Sequence, residues 1–227
     1  MSHRVDIEAT RKSYNHPCLI ARTLDILGDR WTLLVLRDLM SGLHRYGDIL
    51  ENCPGMSPNV LSDRLKRLVT DGLVHRDYRK GLPPTVEYTL TEQGWAVRPI
   101  MLSMIGWART YFAASDPDES AETPFSTDFL IRSVPTFAFN PEKAADVSAT
   151  MSVELTDCEN AGSLMFTICD GFLFPRRQVE GTPDVSLKTT SDAFLHFIRG
   201  EASVDDCGEV CGPLETLAVI QACFSPN

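Results

Sequence analysis

Apolar positions along the first half of the chain recur mostly at helical spacing. Leu19, Ile20, Leu24 and Leu27 form one such set, and Gly28 stands where a helix would end. Asp29 offers an N-cap to a second, mostly apolar helix through Trp31, Leu34, Val35, Leu36 and Leu39, which Ser41-Gly42 interrupts. Tyr46, Ile49 and Leu50 mark a short third helix, closed by the turn residues Asn52-Cys53-Pro54-Gly55. Ser57 as N-cap and Pro58 at the first helical position start a fourth, running to Asp71-Gly72. At 100° per residue, Leu61, Leu65, Leu68 and Val69 fall on one side of it. Asn59, Ser62, Asp63, Lys66 and Thr70 fall opposite, with Arg64 and Arg67 on the flanks.

Residues 73–78 and 86–90 read as strands joined by Arg79-Lys80-Gly81-Leu82-Pro83-Pro84-Thr85, a hairpin with a basic tip. Thr91 then caps a long amphipathic helix ending near residue 112. Its Trp95, Ile100, Leu102, Met104, Ile105, Trp107 and Tyr111 carry more apolar surface than a small domain covers, which predicts a partner chain. The acidic, Pro-containing stretch that follows suits a linker. Beyond it, strand-like runs at 151–155, 164–169 and 184–188 mix with helical patterns at 191–198 and 213–224. The expected organisation is an arm (1–16), a helix-rich domain (17–113), a linker (114–125) and an α+β domain (126–227), α+β overall.

Charge sharpens this division. The 227 residues carry a net charge of -10, but residues 1–114 hold 15 Lys and Arg against 12 Asp and Glu, +3, and the remainder 6 against 19, -13. Only the first half can meet phosphates. No apolar run approaches the ~18 residues of a membrane span, and the first residues lack a secretory core segment, so a cytoplasmic protein without membrane contact is expected. Seven cysteines then stay as thiols. Cys207 and Cys211 lack the further ligands a closed zinc site needs, and no nucleophile, base or phosphate-cradling loop stands in a catalytic frame. Neither an enzyme nor a cofactor is expected.

Three helices, a fourth opening on Ser-Pro and a basic-tipped hairpin follow the order of a winged helix-turn-helix. Asn59, Ser62, Lys66 and Arg67 supply the short polar and cationic groups that base edges and phosphates require. The same face also suits an ordinary solvated helix. The wider context resembles the HxlR family of winged-helix regulators across residues 17–113. It shows PCLIARTLDILGDRWTLLVLRDLMSG, with Gly28-Asp29-Arg30-Trp31 inside, then Arg45-Tyr46-Gly47-Asp48-Ile49, and residues 54–65, PGMSPNVLSDRL. Asp71-Gly72-Leu73-Val74 and residues 83–91, PPTVEYTLT, follow in order. The resemblance implies a 57–71 helix in the major groove, a 79–85 tip along the backbone or minor groove, and flanking helices that form a homodimer on operator DNA. Candidate DNA contacts are Arg45, Ser57, Pro58, Asn59, Ser62, Arg64, Lys66, Arg67, Arg79 and Lys80. Cys18 matches a cysteine that some members use to sense oxidants or electrophiles; an inert thiol is the alternative.

The C-terminal region resembles sterol-carrier-protein-like domains through Pro183-Asp184-Val185-Ser186-Leu187, residues 193–200 and the helix at 214–224. That resemblance implies a twisted sheet and helices around an apolar ligand, with Phe166, Phe172, Phe174, Phe194, Leu195, Phe197 and Ile198 as candidate pocket residues. The same aromatics equally suit a plain core. Two functions follow: a homodimeric operator-binding regulator with an apolar effector or thiol chemistry as its input, or a lipid-like or small-molecule binding module whose winged helix serves dimerisation or protein contacts.

Overall fold

The computed structural model describes residues 13–81, 84–112, 127–158, 163–176 and 181–224. The linker at 114–125 and most of the arm lie outside them, as do Leu82 and Pro83 of the hairpin tip. The N-terminal domain runs α1 (Leu19–Leu27), α2 (Thr32–Met40), α3 (Tyr46–Asn52), α4 (Pro58–Thr70), β1 (Val74–Arg79), β2 (Thr85–Leu90), α5 (Glu92–Trp95) and α6 (Arg98–Phe112). Val35, Leu36 and Leu39 of α2 pack with Ile49, with Leu61, Leu65 and Leu68 of α4, and with Val97 and Met101 in one core. β1 and β2 pair antiparallel with Val74 opposite Leu90. The backbone N–H of Tyr88 also donates to the His44 carbonyl at 2.8 Å, and Arg45 bridges Glu87, so the segment before α3 joins the outer side of the hairpin.

The long helix expected from Thr91 is two helices. The Thr91 hydroxyl accepts the Gly94 N–H and caps α5, but the chain turns at Ala96–Val97 before α6 begins. Pro99 explains the break. It has no N–H to give residue 95, and its ring would collide with that residue's carbonyl in a continuous helix.

The C-terminal domain runs α7 (Thr127–Ala138), β3 (Ala149–Leu155), β4 (Ser163–Cys169), β5 (Phe172–Arg176), β6 (Val185–Thr189), α8 (Ser191–Ile198), β7 (Glu209–Cys211) and α9 (Leu214–Ala222). Its sheet has the order β5-β4-β3-β6-β7, with β3 and β6 parallel and every other pair antiparallel. Met151, Val153, Leu164, Phe166, Val185 and Leu187 turn one sheet face toward Ile131 of α7, Phe194 and Phe197 of α8, and Leu217 and Ile220 of α9. The opposite face is largely polar; Ser152 donates to Ser186 across it at 2.8 Å. The result is a two-layer α+β domain.

A buried polar cluster lies in α2. Asp38 is fully buried and accepts bonds from Arg37 Nε (2.9 Å), Asn52 Nδ2 (2.9 Å) and the Cys53 thiol (3.2 Å). Burial pushes its carboxyl above the ordinary range, which Arg37 partly offsets. Burial, and then the Asp38 charge, push the Cys53 thiol up to about 12. Because the folded state favours protonated Asp38, this group's contribution to stability is complete in acid and is lost as the pH rises through its raised pKa. Removing Arg37 strands the charge. Arg37→Met therefore costs about 3 kcal/mol near neutral pH, and the loss shrinks as the pH falls and Asp38 takes up its proton. Urea unfolding at several pH values checks this; a loss independent of pH contradicts it.

Candidate nucleic-acid interface

The face of α4 that leaves the core is set by its leucines. Leu61, Leu65 and Leu68 are at most 2% exposed, which leaves Asn59, Asp63, Lys66 and Thr70 in solvent and Ser62 and Arg67 half-buried at the margins. Ser57 caps the helix, its hydroxyl accepting the Val60 N–H at 3.4 Å, and Pro58 occupies the first turn without losing a needed donor. Tyr46 Oη donates to the Pro58 carbonyl at 2.6 Å, fastening the start of α3 to the start of α4. Ser57, Pro58 and Asn59 thus stand exposed at one end of the helix, where free N–H groups and the positive end of the helix dipole suit a phosphate.

Arg45 is exposed beside the middle of β2 through its bridge to Glu87. The Glu87 carboxylate also pairs with Arg79 at 3.3 Å, but Arg79 keeps 62% of its side chain in solvent and Lys80 is exposed next to it. His75, Arg76 and Tyr78 of β1 are exposed as well. Strand alternation puts Arg76 and Tyr78 on the opposite face of the hairpin from Arg79, Glu87 and the exposed Asp77.

Arg64 departs from the expected arrangement. Its Nη2 meets Asp29 Oδ2 at 2.7 Å, with only 11% of the side chain exposed. Asp29 also accepts the Trp31 N–H at 3.0 Å, so one carboxylate holds both the α1–α2 turn and the flank of the recognition helix. Without DNA, this pair makes Arg64 an anchor for α4. Cys18 is exposed before α1, where the backbone N–H groups of Ala21 and Ile20 hold its thiol below the ordinary cysteine pKa, a condition that favours the reactive thiolate.

The seven apolar residues expected to share a pocket are divided between two sheet faces. Phe166, Phe194, Phe197 and Ile198 are fully buried in the core, and the Phe166 and Phe194 rings lie 5.8 Å apart. β4 pairs Phe166 with Pro175 and Thr167 with Phe174, so Phe174 and Phe172 project from the opposite face, where both meet Trp95 edge-on. Leu195, on α8, is half-buried. A surface depression of about 360 Å³ is lined instead by residues such as Thr156, Lys188, Thr190, Asp206 and Glu209. Among the described residues no group of His, Cys, Asp and Glu could hold a metal, and no helix is long and apolar enough to cross a membrane.

A polar, partly basic helix face beside a basic hairpin defines a winged-helix DNA reader. Residues 26–116 match the HxlR-like helix-turn-helix family. A protein of Synechocystis named as an uncharacterized HTH-type transcriptional regulator is 40% identical over 89 residues, 39% of this chain and 66% of its own length. The regulator YdeP of Bacillus subtilis is 36% identical over 104 residues, 46% of this chain and 81% of its own. The reduced form of the transcriptional regulator YodB from B. subtilis superposes with a TM-score of 0.40 at 33% identity, covering 44% of this chain and all of that one. The chain belongs to the HxlR-like helix-turn-helix family and is a transcription regulator. The match stops at residue 116, so it lends the sterol-carrier resemblance of the C-terminal domain no support.

Exposed Lys66 and anchored Arg64 separate in one comparison. Lys66→Ala weakens DNA binding about uniformly across sequences and lowers the salt slope by about one, with the melting temperature unchanged. Arg64→Met lowers the melting temperature and, through it, DNA binding. Thermal unfolding beside fluorescence anisotropy decides the roles; an Arg64→Met protein of native stability that has lost DNA contradicts the anchor.

Proposed function

We propose that the chain works as a homodimer that places two copies of α4 in successive major grooves of operator DNA, with the β1–β2 hairpins against the flanking backbone. The carrying observation is the outer face of α4, with Asn59 and Lys66 exposed and Ser62 and Arg67 half-buried at its margins, together with the exposed cations Arg45, Arg79 and Lys80. Short polar groups reach base edges, and the cations answer phosphates.

The dimer half of the reading rests on a second surface. Ile100, Met104, Trp107 and Tyr111 recur along α6 at spacings of four, three and four, each 42–66% exposed. Leu19, Ile20 and Leu24 of α1 are 74%, 72% and 43% exposed. Exposed apolar surface on two helices of one domain suits a self-complementary two-fold interface. Two-fold symmetry then demands inverted half-sites about one helical turn apart. The acidic C-terminal domain repels phosphate and belongs on the side away from the DNA, where it is suited to receive an input.

Binding to a duplex carrying such a repeat is expected to fall about a thousandfold between roughly 50 and 200 mM salt, as six or more phosphate contacts require. Met104→Glu puts a charge into the interface without touching the monomer core, and is expected to give a folded monomer with weakened binding. Sedimentation and anisotropy read both. A flat salt response removes the DNA reading, and a Met104→Glu protein that stays dimeric removes this interface.

A further inference from the structure

Two contacts fasten the C-terminal domain to the winged helix. In the first, α7 lies along α2: Ser41 and Ser133 share a hydrogen bond at 3.3 Å, and the Arg37 guanidinium sits 4.6 Å from the centre of the Phe129 ring. Phe137 of α7 packs against the N-terminal core. In the second, β5 meets the end of α2 and α5. Gly42 has φ +83, and a Cβ there would lie 2.3 Å from the Pro175 carbonyl oxygen, so the two backbones approach as only glycine permits. Trp95 meets Phe174 and Phe172 at 6.0 and 6.4 Å.

Arg98 lies where these contacts meet the dimer helix. It is the first residue of α6, and its Nε and Nη2 donate to the Thr136 carbonyl at 3.1 and 3.0 Å, while Nη2 also donates to the Phe139 carbonyl. These acceptors sit at the C-terminal end of α7, where carbonyls lack helical partners and the dipole is negative. A guanidinium fork supplies both donors in one rigid plane. The exposed stripe Ile100, Met104, Trp107 and Tyr111 extends from this point. Fifteen residues make α6 roughly 22 Å long, so a tilt of about 10° at its base moves its far end roughly 4 Å, about the rise of one base-pair step.

We propose that Arg98 is a positioning residue through which the C-terminal domain sets the direction of α6, and with it the half-site spacing the dimer accepts. The inference rests on the homodimer reading above. It makes spacing, and not base sequence, the property that the second domain controls. Base contacts stay with α4.

The test is selection of binding sites by the full chain from a random duplex library, for wild type, Arg98→Met and Arg98→Lys. Wild type is expected to return an inverted half-site at one dominant spacing. Both variants are expected to return the same half-site sequence spread over two or more spacings, with affinity for the wild-type spacing reduced about tenfold and affinity for an isolated half-site unchanged. Lys keeps the charge but cannot span both carbonyls in one plane, so it decides the matter if the Met variant does not fold. A purely structural role would weaken all spacings alike; an unchanged dominant spacing in folded variants overturns the inference while leaving the dimer intact. A wild-type selection that yields no inverted repeat overturns the dimer reading and this inference with it.

Discussion

Burial of one side of α4 is the constraint on which the rest depends. A helix can show DNA a fixed set of side chains only if its other face is locked, and Leu61, Leu65 and Leu68 supply that lock against Val35, Leu36 and Leu39 of α2. Each buried leucine contributes on the order of 1.5–3 kcal/mol of transfer free energy. Two polar ties fix what apolar packing leaves free. The Tyr46 hydroxyl fastens the first turn of α4, and the Asp29–Arg64 pair fixes its flank. Rotation of α4 about its own axis is thereby set before DNA arrives, so binding need not spend free energy on ordering the helix.

Electrostatics divides the molecule along the same line as the fold. The basic groups gather on α4 and the hairpin, whereas the C-terminal domain is strongly acidic and offers a polar outer sheet face and a helix-covered inner one. Yet the two halves are closely joined. Ser41, Gly42 and Arg98 sit in the joint, and the edge strand β5, which would otherwise present unpaired backbone groups, is partly covered by the winged helix. The acidic domain therefore packs directly against the reader.

The sequence revealed the local features and concealed the tertiary ones. α4 was legible because Ser57, Pro58 and the leucine spacing each point to the same helix, and the hairpin was legible from alternation and turn residues. The role of Arg64 was not. A helical projection puts it on the flank of the DNA face, and its partner Asp29 is brought to it only by packing of the α1–α2 turn. α7 went unread because Pro135 interrupts its pattern, and because Arg132, Ser133 and Thr136, polar in sequence, are buried at its contacts. The expected pocket failed on parity. Without β5 and its register, nothing showed that Phe172 and Phe174 leave the sheet opposite Phe166.

Hydroxyl-radical footprinting of the full chain on its bound duplex tests whether a symmetric pair of α4 helices reads DNA from one face of the duplex. A two-fold dimer is expected to leave two equivalent protected windows, about one helical turn apart on the same face of the duplex. A single window, or protection without two-fold symmetry, contradicts it.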